Sequence, residues 1–193
     1  MYVRDAKNRD EVWLLDRIEE MGFDETSFRS RDYVIAVDEE SNERAGFGRI
    51  RLHKTDDGDY CELTCVGVLE RWRGQGVGAH VVERLVKEAG DEGFEEVYCF
   101  TDNPAYLTQF GFERVEPASL PDPLAERFEA KRGDDDSVEP VRLAVDDLEI
   151  PDRHRERFKQ ASPHGRDGDV AIEETAEDFG IDPDETTYKY DTG

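Results

Sequence analysis

The 193 residues carry 49 Asp and Glu against 25 Lys and Arg, a formal charge of −24, and 38% of the chain is charged while 36% is hydrophobic. A surface this acidic repels phosphate backbones and anionic lipid, so neither nucleic acid nor membrane is an expected partner; the length suits one α/β domain with an extension better than two full cores. No apolar run follows a basic stretch and none reaches about 18 residues, so a cytoplasmic location is expected.

Residues 1–4 read as a short strand. Asn8 or Asp10 then caps a helix in which Val12, Leu15, Ile18 and Met21 recur at helical spacing, and Gly22 ends it. Residues 33–37, Tyr-Val-Ile-Ala-Val, form a buried strand; 39–43 make a polar turn, and 45–52 alternate as the second strand of a hairpin. Asp56-Asp57-Gly58 marks another turn, after which 60–68 completes an antiparallel meander. Over 76–92 the residues Val77, Val81, Leu85 and Ala89, with Val82 and Val86 beside them, draw one stripe down a helix that Gly93 stops. Residues 97–100 are a short buried strand, Pro104 opens a brief helix at its first turn, and 111–115 follow as a strand. The core order is β-α-β-β-β-α-β-α-β, an α/β chain of the α+β kind. Farther on, 120–131 read as a helix, 138–145 as a strand and 152–160 as a charged helix. Residues 170–179 show some helical spacing before Gly180, and 163–193 leave open an ordered lid, a homodimer arm and a partly disordered tail. The expected division is a folded domain over 1–150 and an acidic C-terminal extension over 151–193.

Three glycines, Gly74, Gly76 and Gly78, stand between a strand and an amphipathic helix, where bare backbone can approach a ligand and unpaired N–H groups point outward. The helix dipole adds about half a positive charge there, and Arg71 and Arg73 supply full charges in an otherwise acidic chain. Local basicity on that background points to a bound polyphosphate. Gly74-x-Gly76-x-x-Ala79 also satisfies a loose dinucleotide fingerprint, with Glu95 and Glu96 about twenty residues on. Against that alternative, five residues separate strand from turn, the acids precede their strand, and antiparallel hairpins come first. No Gly-Lys-Ser/Thr follows, which excludes a P-loop.

Val66-Gly67-Val68 followed by Arg71-Trp72-Arg73-Gly74-Gln75-Gly76-Val77-Gly78 resembles the coenzyme A motif of the GNAT N-acetyltransferases, whose R-x-x-G-x-G pattern is met at Arg73, Gly76 and Gly78. The resemblance covers roughly residues 30–116. It implies a mixed, mostly antiparallel central sheet flanked by helices, acetyl-CoA as co-substrate, and transfer of the acetyl group to an amine in a ternary complex. By the same resemblance, the diphosphate falls to the amides of Gln75, Gly76, Val77, Gly78 and Ala79, and the pantetheine amides pair with Val66, Gly67 and Val68. Asn103, a short helix and Gly111-Phe112 are similar to the family's later element. The stretch 110–128, with Pro121 and Pro123, looks like that of amino-acid acetylating members, which implies a small-molecule amine such as an amino acid; a protein or peptide amine is the other acceptor class. The charge pattern, with six Lys to nineteen Arg, resembles that of proteins from salt-loving archaea.

An amine protonated near neutral pH needs a base before it attacks a thioester. Glu62 is the candidate, because 62–68 resembles the strand that carries the glutamate base in the histone-acetylating branch; partial burial is expected to raise its pKa. A cross-strand pairing with Arg49 or Arg51 is the alternative role. A backbone N–H near Val68 is placed to meet the developing oxyanion. The family's tyrosine acid sits four residues before Gly-Phe, a position held here by Leu107; Tyr106, one residue earlier, is the candidate acid, with Tyr98 and water as alternatives. His80 reads as a packing or phosphate-contacting residue. His53, His154 and His164 have no shared metal spacing and Asp167-Gly168-Asp169 lacks a calcium loop, so no metal is expected. Cys61, Cys65 and Cys99 read as small buried hydrophobes. A coenzyme A sensor without catalysis is the competing class of function, suggested by Leu107.

Overall fold

The structure, a computed structural model, describes residues 1–23, 27–56, 58–133 and 135–165. The expected helical spacing over 170–179, and most of 163–193, lies outside the described residues. Seven strands form one sheet: β1 (Tyr2–Asp5), β2 (Tyr33–Val37), β3 (Arg44–Thr55), β4 (Gly58–Val68), β5 (Glu96–Thr101), β6 (Glu113–Arg114) and β7 (Glu139–Ala144). Their spatial order is β1-β2-β3-β4-β5-β7-β6, and every neighbouring pair is antiparallel except β4 with β5. Among the described residues five α-helices accompany the sheet: α1 (Glu11–Glu20), α2 (Val77–Asp91), α3 (Pro104–Thr108), α4 (Asp122–Arg132) and α5 (Asp152–Lys159).

Helix α2 lies on one face of the sheet. Its stripe Val77, Val81, Val82, Leu85, Val86 and Ala89 is fully buried against Val34, Ala36, Cys61, Leu63, Val97 and Cys99. The fit depends on two glycines of β3 below the helix: a Cβ built on Gly48 meets Leu85 and Val81 at 2.9 Å, and one on Gly46 meets Val77 at 3.0 Å and the Gly67 carbonyl of β4 at 2.9 Å. The opposite face is covered in two parts. Helix α1 covers β2 and β3 through Leu14 and Ile18 against Ile35 and Phe47, and α4 covers β5 through Leu124 and Phe128 against Tyr98 and Phe100.

The α1 stripe differs from expectation. Leu14 and Ile18 are buried, one turn apart, whereas Val12 is 72% exposed. Trp13 and Met21 pack beside them, so the contact stripe runs through 14 and 18 and the even apolar spacing from Val12 does not mark the buried face. The last strand also inserts between β5 and β6, an order that strand patterns alone do not encode.

Candidate active site

Pairing between β4 and β5 is short. Cys61, Glu62 and Leu63 lie opposite Val97, Tyr98 and Cys99, and the ladder stops there. Toward β3 the pairing of β4 continues to Val68, but its register slips: Phe47 faces Gly67 while Arg49 faces Thr64, so β4 carries one extra residue. Cys65 takes that place with φ of 53°, a left-handed conformation uncommon outside glycine. A bulge bends the strand that bears it, so β4 diverges from β5 beyond Leu63. Parallel strands that diverge leave their facing N–H and C=O groups without ladder partners.

A cleft of about 520 Å³ opens along this divergence. Leu63 to Val68 line one side and Cys99 to Asn103 the other. On the α2 side it is bounded by Val82, Tyr106, Leu107 and Arg73, and on the other side by Met21 to Phe23 at the end of α1 and by Arg127 and Lys131 of α4. One cleft therefore passes between the two faces of the sheet. Of the residues singled out from sequence, Val66, Gly67, Val68, Arg73, Asn103 and Tyr106 line it.

At the α2 end the chain turns through Gly74 and Gly76, with φ of 70° and 76°. The first helical hydrogen bond is donated by His80 N–H to the Gly76 carbonyl at 3.3 Å. The amides of Val77, Gly78 and Ala79 precede it and have no acceptor within the helix. Among the described residues no backbone carbonyl outside the helix accepts from Gly74, Gln75 or Gly76 either. Such a row of uncommitted amides at a helix N-terminus suits a diphosphate. Arg73 stays close, its Nε donating to the Val68 carbonyl at 3.4 Å. Arg71 is directed elsewhere: its guanidinium pairs with Glu43 at 3.0 Å on the surface. The side chain of Gln75 also points away from the cleft, to Arg71 and Ser162. His80 packs, stacked on Phe158 with ring centroids 3.9 Å apart.

Helix α3 begins where Asn103 accepts the Tyr106 N–H at 3.2 Å and Pro104 occupies the first turn. That cap sets both Tyr106 and Leu107 against the cleft. Tyr98, the alternative acid, donates its hydroxyl to Glu96 at 3.1 Å and does not line the cleft.

Glu62 sits behind the cleft wall and is fully buried. Its Oε2 lies 2.9 Å from His53 Nε2, and Arg127 Nε donates to both carboxylate oxygens at 3.1 and 3.3 Å. Burial pushes its pKa up, but the hydrogen bond from His53 and the charges of Arg127 and Lys131 outweigh it and hold the carboxyl below its ordinary range. The expectation of a raised pKa is thereby corrected: burial brought cations with it. The partners were also missed. His53 lies diagonally across on β3, and Arg127 comes from α4, 65 residues away; no local spacing signals that contact. Cys61, Cys65 and Cys99 are buried thiols outside any disulfide, as read from sequence, and burial pushes Cys99 up to about 11. Among the described residues no cluster of His, Cys, Asp and Glu could hold a metal ion, and no helix is long and apolar enough to cross a membrane.

Comparison with known proteins bears on this geometry. An uncharacterized N-acetyltransferase of Chlorobaculum tepidum is 30% identical over 60 residues, a stretch that covers 31% of this chain and 39% of that relative. Rv2747 of Mycobacterium tuberculosis, solved in complex with CoA and NLQ, has a TM-score of 0.62 at 17% identity, over 75% of this chain and 99% of its own. N-acetylglutamate synthase of Neisseria gonorrhoeae, complexed with coenzyme A and N-acetyl-glutamate, has a TM-score of 0.58 at 16% identity, over 74% of this chain and 34% of its own. The two structures share the fold of this chain. The sequence profile of the acetyltransferase (GNAT) family matches residues 3–112, which takes in the diverging strands, the helix mouth and Gly111-Phe112. With more than half of its length inside that match, the chain belongs to the acetyltransferase (GNAT) family.

Proposed function

We propose that this chain is an acetyl-CoA-dependent N-acetyltransferase that transfers the acetyl group to the amine of a small molecule, with an amino acid as the first class to try. The observation that carries the reading is the cleft through the sheet, lined by Val66 to Val68 and Arg73 toward the mouth of α2 and by Arg127 and Lys131 of α4 on the other side. The amides of Gln75 to Ala79 hold the diphosphate, Arg73 adds charge, and the edge of β4 at Val66, Gly67 and Val68 pairs with the pantetheine amides. The co-substrate supplies an acyl group activated as a thioester; the protein supplies alignment and proton transfer. The acceptor enters from the side of Met21 to Phe23 and α4, so both substrates are present together and attack is direct.

Glu62 is the base in this reading. Its depressed pKa keeps it ionised at neutral pH, and it takes the amine proton through water. Tyr106, on the opposite wall, is the acid that protonates the thiolate. The N-terminal 150 residues form the acetyltransferase domain, and the acidic surface fits a cytoplasmic protein of a salt-loving organism, where salt screens self-repulsion.

A thermal-shift titration with acetyl-CoA in molar salt, followed by a thiol-release screen of amino acids, other small amines and basic peptides, tests the reading. Stabilisation together with thiol release by one class is the expected result. One observation favours a second reading: both Glu62 oxygens are engaged and the tyrosine position is Leu107. A coenzyme A sensor would bind the co-substrate and release thiol with no amine in the panel.

A further inference from the structure

A loop that binds an anion through its own amides cannot use those amides to hold itself in shape. The turn from Arg73 to Val77 shows the problem sharply, because Gly74 and Gly76 both lie in the left-handed region and offer no side chain as an anchor. Gln75, between them, is the one residue of the turn's centre with a side chain, and it is 9% exposed. Its Nε2 donates to the Arg71 carbonyl at 2.9 Å and to the Ser162 carbonyl at 3.2 Å. Its Oε1 accepts the Ser162 N–H at 2.9 Å. The side-chain amide thus pairs with the Ser162 backbone as one strand pairs with another, across 87 residues. The segment that delivers Ser162 is seated independently. Phe158 stacks on His80, Arg155 pairs with Glu83 at 2.7 Å, and the His154 carbonyl lies where a Cβ on Gly76 would be, 2.3 Å away.

We infer that Gln75 and the backbone of Ser162 form a clasp by which the C-terminal segment fixes the loop in its diphosphate-binding shape, making Gln75 a positioning residue whose side chain does not touch the co-substrate. The inference rests on the coenzyme A reading given above. Two left-handed glycines lose much freedom on ordering, and a clasp that spends it during folding spares the binding step.

The test uses the full chain and two probes, CoA and pantetheine, which keeps the thiol arm and lacks the diphosphate. Gln75→Leu removes the clasp from one side, and Ser162→Pro removes the N–H donor from the other. Each is expected to weaken CoA about tenfold by calorimetry in molar salt, as loss of one to two hydrogen bonds would. Pantetheine should change less than about twofold, and the double variant should bind CoA no more weakly than the weaker single one, since both remove one interaction. Equal weakening of both probes would assign the pair a structural role only and overturn the proposal, as would unchanged CoA affinity in Gln75→Leu. A folded wild-type chain that binds neither probe sinks the coenzyme A reading itself.

Discussion

The two ends of the cleft are built on different principles. In the proposed reading, recognition at the α2 end rests on backbone: glycines that admit a turn, amides that precede the first helical bond, and a helix seated over Gly46 and Gly48 of β3. At the α4 end stand polar side chains drawn from separate elements, with Glu62 on β4 held by His53 of β3 and Arg127 of α4. A backbone site is contiguous in sequence, so nine residues from Val66 to Gly74 and the few after them announce it. A side-chain site exists only once the chain has folded.

The largest effect is expected from breaking the backbone end. Gly76→Ala puts a side chain at a φ of 76° and against the His154 carbonyl; strain and overpacking together should cost about 4 kcal/mol in a denaturant titration and abolish measurable CoA binding. The charged end breaks differently. Glu62→Gln should lower the thiol-release rate about a hundredfold, with CoA affinity changed less than about twofold. A rate left intact while the melting temperature drops would reassign Glu62 to anchoring α4 through Arg127.

Acidification sharpens the same contrast. Burial, with the charges of Arg153, Arg157 and His80, pushes His154 down to about 4 from an ordinary 6.5. Between those values the unfolded chain binds a proton that the folded chain refuses, so stability falls as pH drops from 6.5 toward 4. Glu62, and Asp10, which the hydrogen bonds of Arg4, Lys7 and Arg44 hold low against burial, extend the loss below 4.5. Melting curves in molar salt should show a fall of roughly 5 °C between neutral pH and about pH 5. His154→Gln should flatten that upper limb, and Glu62→Gln the lower one. The smallest effect separates two arginines that a reading of local charge treats alike. Arg73→Ala should weaken CoA about tenfold, whereas Arg71→Ala, which loses only an exposed pair with Glu43, should change affinity less than about twofold and stability by under about 0.5 kcal/mol.

Much of the fold was legible because the sheet and α2 follow strong periodicities. The alternation over 45–52 and the stripe from Val77 to Ala89 place β3 and α2 nearly where they lie. The face of α1 was not legible: a helix of ten residues offers two overlapping stripes, and the sheet selects Leu14 and Ile18 over Val12. The resemblance singles out Glu62, but its electrostatics were not legible, because the hydrogen bond that opposes the effect of burial comes from His53 of β3 and the charges from Arg127 and Lys131 of α4. The reach of Gln75 to Ser162 was hidden for a like reason, since its partner is a backbone group and leaves no trace in residue identity.

The ladder between β4 and β5 is only three residues long, while β5 and β7 share six. The sheet is therefore two leaves joined by a narrow seam. Any guest that lies in the open part of the seam and offers amide groups in sequence becomes a temporary strand, splinting one leaf to the other. Saturation with such a guest should then slow hydrogen exchange at residues 64–68 and 100–101 together, on both leaves, even though the guest touches few side chains.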